Sequence, residues 1–90
     1  MPVRVLIPTP LRKLTDGSAE AEVEGGSVGE VLQNLGKYSG LTERLLDEKG
    51  QVRRYVNLFV NGEDIRHLDN LKTAVKDGDE LSIVPAVAGG

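Results

Sequence analysis

The stretch DGDELSIVPAVAGG, residues 77–90, decides how the rest of the chain is read. Asp77-Gly78 is a turn signal. After it, Leu81 and Ile83 alternate with Glu80 and Ser82, the two-residue period of a strand with one buried face. Pro85 closes that strand and leaves Ala86, Val87, Ala88, Gly89 and Gly90. Five extended residues reach roughly 17 Å, far enough to enter another protein's active site. Two glycines leave the least bulk around a terminal carboxylate and suit a narrow channel. The expectation is a folded domain over residues 1–85 and a flexible tail over residues 86–90 whose free carboxylate is carried by Gly90.

Working back from that strand, VRVLI (residues 3–7) is β-branched and apolar between two prolines and reads as a central strand with Val3, Val5 and Ile7 on one face. Asp16-Gly17 marks a turn. Beyond it, Ala19, Ala21 and Val23 alternate with Glu20, Glu22 and Glu24, which predicts a half-buried strand completing a first hairpin. In GGSVGEVLQNLG, Ser27 and Glu30 form a capping box, in which Ser27 accepts from the N–H of residue 30 and Glu30 reaches back to the Ser27 N–H. Val28, Val31, Leu32 and Leu35 then recur at helical spacing, and Gly36 is placed for a left-handed C-cap. A short further helix is expected around Leu41, Leu45 and Leu46, followed by a DEKG loop.

RYVNLFV alternates again, sending Val56, Leu58 and Val60 to the core and Tyr55, Asn57 and Phe59 to the opposite face. Asn61-Gly62 is the strongest hairpin signal in the chain, because both residues tolerate the positive φ of a type I′ turn. EDIRHL is expected to return as a short strand, and Leu71, Ala74 and Val75 to form one apolar turn. The order β β α β β β, with one helix crossing a mixed sheet of four to five strands, is an α+β, β-grasp plan whose last strand lies beside the first.

Composition narrows the function. Ninety residues build a single small core with little room for a deep, water-excluding active site, which favours a carrier, binding module or subunit over an enzyme. A net charge of -3 with dispersed basic residues argues against nucleic acid as a partner, and Arg53-Arg54 reads as solvated surface. No stretch has the length of a secretory or membrane-spanning segment, so a cytoplasmic protein without a membrane partner is expected. The absence of cysteine removes disulfides, thiolate nucleophiles, persulfides and thiolate metal sites. His67 has no partners for a metal or relay site, and no metal site is expected. Asp77, Asp79 and Glu80 read as turn residues, and GGSVG lacks the lysine of a phosphate loop and reads as a helix start.

A free carboxylate is a poor electrophile until its oxygen becomes a better leaving group. Adenylation by a partner achieves that, and the acyl-adenylate then accepts sulfur to give a thiocarboxylate or an amine to give an isopeptide bond. A chain without cysteine has only its carboxyl end for covalent sulfur carriage.

The plan, and LSIVPAVAGG above all, resembles the ubiquitin-like sulfur carriers of the MoaD/ThiS type, which end in Gly-Gly and serve molybdopterin, thiamin and cysteine biosynthesis. The resemblance runs over nearly the whole chain. VRVLIPTPLR, the long middle YSGLTERLLDEKGQVRRYVNLFVNGEDIR and DGDELSIVPAVAGG look most like the carrier of thiocarboxylate-dependent cysteine synthesis, since the other branches are typically shorter in the middle. It implies that Gly90 is adenylated by an ATP-dependent, E1-like adenylyltransferase and converted to a thiocarboxylate, with Gly89, Ala88 and Val87 threading into partner sites. It implies further that a pyridoxal-phosphate-dependent cysteine synthase uses the thiocarboxylate and that a zinc-dependent peptidase releases the cysteine. ATP with magnesium, pyridoxal phosphate and zinc then belong to partners, and the chain, a monomer when alone, binds none of them. The alternatives are the small subunit of molybdopterin synthase and a protein modifier that forms isopeptide bonds through Gly90. In a β-grasp sheet the first, last and third strands lie side by side, so Leu6, Val84 and Phe59 are expected to form one exposed apolar docking patch for the activating enzyme.

Overall fold

The structure is a computed structural model that describes residues 2–38 and 40–85. Alternation of apolar and polar residues produces strands β1 (Val3–Leu6), β2 (Glu20–Val23), β3 (Val56–Val60), β4 (Glu63–Asp64) and β5 (Glu80–Pro85), and helical spacing produces α1 (Val28–Asn34) and α2 (Leu41–Leu45). The strands join in one sheet of order β2-β1-β5-β3-β4. β1 and β5 run parallel at its centre, while β2 on one side and β3 and β4 on the other pair antiparallel. This is the expected β-grasp plan, with the last strand beside the first.

The core lies between the sheet's inner face and the helices. Val3 and Val5 of β1, Leu58 of β3 and Leu81 of β5 are buried with Val28, Val31, Leu32 and Leu35, the apolar stripe of α1 and the residue that follows it. Leu41 and Leu45 of α2 close the cluster, and the Thr42 hydroxyl fixes α2 to the end of α1 by donating to the Leu32 carbonyl at 2.7 Å. Two buried threonines are satisfied locally. Thr15 donates to the Ser18 carbonyl, and the Thr73 hydroxyl accepts from the Asp69 N–H. Asn61 and Gly62 both have positive φ, 51° and 88°, as the type I′ turn requires.

Several local expectations are corrected. Ala19 is exposed because β2 begins one residue later, at Glu20. Ser27 caps α1 as expected, accepting from the Glu30 N–H, but the Glu30 carboxylate accepts from the N–H of Gly26 rather than Ser27. Gly36 is not a left-handed cap. α1 tightens into a 3-10 turn, Leu35–Lys37, which keeps Leu35 fully buried, and the left-handed residue is Gly40 at the start of α2.

The return of EDIRHL as a strand stops after two residues. The Asp64 carboxylate accepts from the Arg66 N–H and starts a 3-10 turn, Ile65–His67, that buries Ile65. Ala74 is exposed, while Thr73 and Val75 take the buried positions beyond a further 3-10 turn, Asn70–Lys72. Residues 9–15, given no element from sequence, form a 3-10 helix that buries Leu11 and Thr15.

Candidate functional site

Gly90, Gly89, Ala88 and Val87 lie outside the described residues, so the site is built from the strand that leads to them. β5 occupies the middle of the sheet, paired to β1 on one side and along its length to β3 on the other. Its last residue, Pro85, stands opposite Val56, the first residue of β3. The root of the tail is therefore held by the ladder with β3, which runs to Pro85, while the ladder with β1 ends at Ser82.

Register fixes what surrounds that root on the outer face. Leu6 and Phe59 are both opposite Ser82, so Leu6, Ser82 and Phe59 form one row across β1, β5 and β3. Val84 is two residues further along β5, on the same face and opposite Asn57. Leu6 and Phe59 are half-buried by their neighbours, and Val84 is 46% exposed. The three residues expected as an apolar patch thus share one face, with Ser82 between Leu6 and Phe59.

The same register supplies a rim. Glu20 stands opposite Leu6, Asp64 opposite Phe59, and Glu22 and Glu80 flank Arg4 in the adjacent row. Arg4 is paired with Glu80 at 2.8 Å. Asp64 is held by Arg66 through contacts of 2.6 Å and longer, and that hydrogen bonding lowers its pKa to about 2. The face is an apolar centre bordered by four carboxylates, two of which are paired with Arg4 and Arg66.

The rim was missed in sequence because it depends on which strands are neighbours. Strand alternation sends Tyr55 to the outer side without placing it in the site. It is 47% exposed and precedes Val56, beside the end of β5.

Other candidate groups fall to local roles. The Asp79 carboxylate accepts from the Lys76 N–H and the Asn61 amide, as a turn aspartate does, whereas Glu80 pairs with Arg4 instead. His67 is exposed, with Glu63 its near neighbour at 3.7 Å. At the start of α1 the Val28 N–H is taken by the Thr73 carbonyl and the Glu30 N–H by Ser27, so GGSVG is a helix start and not a phosphate cradle. Among the described residues no group of three or more His, Cys, Asp or Glu side chains could hold a metal ion, and no helix is long and apolar enough to cross a membrane.

Comparison with known proteins places this geometry. The sulfur carrier protein CysO of Mycobacterium tuberculosis is 46% identical over 93 residues, covering 100% of both chains. Small archaeal modifier protein 3 of Haloferax volcanii is 44% identical over 68 residues, covering 74% of this chain and 73% of that protein. The crystal structure of the Amycolatopsis orientalis BexX/CysO complex contains a chain that superimposes with a TM-score of 0.90 at 43% identity, covering 98% of this chain and 99% of that one. These relatives are carriers and modifiers rather than catalysts, and the ThiS family model matches residues 5–90. The chain belongs to the ThiS family of ubiquitin-like sulfur carriers.

Proposed function

We propose that this protein carries sulfur as a thiocarboxylate on Gly90 and delivers it for cysteine synthesis. The observation that supports this reading most is the full-length similarity to CysO, end to end through the Gly-Gly terminus. A partner E1-like enzyme joins the Gly90 carboxylate to the adenylyl group of ATP and releases pyrophosphate. A sulfur nucleophile then displaces AMP to leave the thiocarboxylate. The outer face of Leu6, Phe59 and Val84, beside the root of the tail, is the docking surface for that enzyme. The Amycolatopsis orientalis BexX/CysO complex, a CysO chain together with another protein, favours a carrier that works by docking.

In this reading the chain acts in the cytoplasm, catalyses nothing and binds no cofactor. Magnesium-ATP sits on the activating enzyme. A pyridoxal-phosphate enzyme adds the thiocarboxylate sulfur to an aminoacrylate, an S-to-N acyl shift leaves cysteine amide-linked to Gly90, and a zinc peptidase releases it. Val87, Ala88 and Gly89 thread each partner's channel.

The test is the intact mass of the chain after incubation with magnesium-ATP, a sulfide source and a cognate E1-like enzyme, with fragmentation to locate any change. Replacement of one oxygen by sulfur at Gly90 is expected. An unchanged mass with an enzyme that adenylates a control carrier refutes the proposal. A second reading, protein modification through Gly90, is favoured by the 44% identity to small archaeal modifier protein 3 and predicts a ladder of higher-mass conjugates that disappears when Gly90 is removed.

A further inference from the structure

The sheet has an open edge along the first half of β3, on the side away from β5. β4 pairs only with Phe59 and Val60, so beside Val56, Asn57 and Leu58 no strand continues after Asp64. The direction of the free groups follows from the ladder with β5. The Asn61 N–H donates to the Glu80 carbonyl, which makes the odd-numbered residues of β3 the ones bonded toward β5. The backbone of Val56 and Leu58 therefore faces the opposite way, toward the missing strand. The Val56 N–H is used by the Arg53 carbonyl at 3.0 Å, and the Phe59–Asp64 pairing, with Phe59 bonded toward β5, puts the Leu58 carbonyl on the Ile65 N–H, so the Val56 carbonyl and the Leu58 N–H are the groups directed outward.

These groups do not face open solvent on a flat edge. They line a cleft of about 590 Å³ together with residues 51–54, 64–66 and 69–72. Val52, Ile65 and Leu71 give its lining an apolar part. Arg53, Arg54, Arg66 and Lys72 stand around it against two carboxylates, Asp64 and Asp69, so the cleft is locally cationic on a chain of net charge -3. Arg66 is engaged by Asp64, and the Arg53 Nε donates to the Glu43 carbonyl. Arg54 and Lys72 are exposed and form no ion pair among the described residues. Sequence reading assigns Arg53-Arg54 to solvated surface, and the fold instead sets them in the lining of a groove.

We propose that this cleft takes an extended, acidic peptide segment of a partner protein, which adds to the Val56 to Leu58 edge of β3 as a strand. The Val56 carbonyl and the Leu58 N–H supply the ladder, Val52, Ile65 and Leu71 meet one or two apolar side chains, and Arg54 and Lys72 meet carboxylates on the segment. Pro85 stands opposite Val56, so a partner seated here lies beside the point where the chain continues toward Gly90. The inference rests on the edge and the charge, and it stands whether or not Gly90 carries sulfur.

The experiment titrates the nitrogen-15-labelled full chain with a seven-residue peptide alternating valine and glutamate, capped at both ends. A twin peptide is methylated on the backbone nitrogens of alternate residues, in each of the two phases. Expected are amide shifts centred on residues 54–58 and 65–72, slowed exchange of the Leu58 N–H, at least tenfold weaker binding to the Arg54→Glu, Lys72→Glu double variant, and loss of binding for one methylated phase. Both substituted residues are exposed and form no ion pair among the described residues, and the spectrum of the free variant verifies that the fold is kept. Equal binding of both methylated peptides would mean charge attraction without strand addition and overturns the proposal. Shifts centred on Leu6 and Val84, or no shifts at millimolar peptide, overturn it as well.

Discussion

Replacing Val84 by aspartate separates docking from folding more cleanly than any other change on the outer face. Val84 is 46% exposed, and its side chain points away from the core, whose β5 contributions are Leu81 and Ile83. The folding cost is therefore the loss of β-branched packing on an exposed strand position, within about 1 kcal/mol. The docking cost is larger. Fully burying a valine is worth about 1.5–3 kcal/mol, and roughly half of that surface remains to be covered by a partner. Losing it forfeits about 1 kcal/mol, and desolvating the new carboxylate without a partner adds about 1–3 kcal/mol.

The sum, about 2–4 kcal/mol, corresponds to a rise of about thirtyfold to several hundredfold in the KM of an activating enzyme for the carrier. The assay is ATP-pyrophosphate exchange as a function of carrier concentration, with thermal unfolding followed in parallel. Phe59→Asp should behave in the same direction, with a larger stability loss because Phe59 is half-buried between its neighbours. An unchanged KM in Val84→Asp, with activity intact, refutes the docking role of this face.

Other consequences can be measured on the isolated chain. Ser27→Ala removes the oxygen that accepts from the Glu30 N–H at 3.2 Å and should cost about 1 kcal/mol in denaturant unfolding, while Ser27→Asp should retain most of it. Gly25→Ala places a Cβ 2.8 Å from Val31 Cγ2 and 2.9 Å from the Val31 backbone nitrogen, a clash that a side-chain rotation does not relieve, and should cost about 1–3 kcal/mol. The Asp64 carboxyl, held down by the hydrogen bonds from Arg66, should titrate near 2 by carbon-13 NMR and return toward the ordinary value of 3.8 in Arg66→Ala. Because the folded pKa lies below the unfolded one, its contribution to stability is present above about pH 4 and is lost as the pH falls toward 2. Wild type and Arg66→Ala should therefore converge in stability at low pH.

Much of the fold was legible because its signals are local. The two-residue period of β3 and β5, the Ser27 cap and the Asn61-Gly62 turn each depend on neighbours in sequence, and all appear where they were read. The errors lie where a tertiary demand overrides a local one. Gly36 has the composition of a cap, but burial of Leu35 draws the chain through a 3-10 turn first. EDIRHL reads as a returning strand, yet burial of Ile65 in the core, with the Asp64 carboxylate accepting from the Arg66 N–H, turns the chain inward. The apolar members of the candidate site were readable from strand alternation. Its acidic rim was not, since Glu20 and Asp64 meet the patch only through pairings on opposite sides of the sheet.

One strand accounts for the division of labour across this small domain. β3 presents Phe59 outward, buries Val56, Leu58 and Val60, and bonds to β5 through its odd-numbered residues. Its opposite edge is covered for only two residues. A longer β4 would have sealed that edge, and it is shortened by the same Asp64–Arg66 pair whose carboxylate borders the apolar patch. Asp64 thus faces both surfaces, closing the rim of one and opening the wall of the other. Asp64→Asn should weaken both the cap on the 3-10 turn and the acidic border. An effect on peptide binding without one on enzyme docking would show that the two surfaces are read independently.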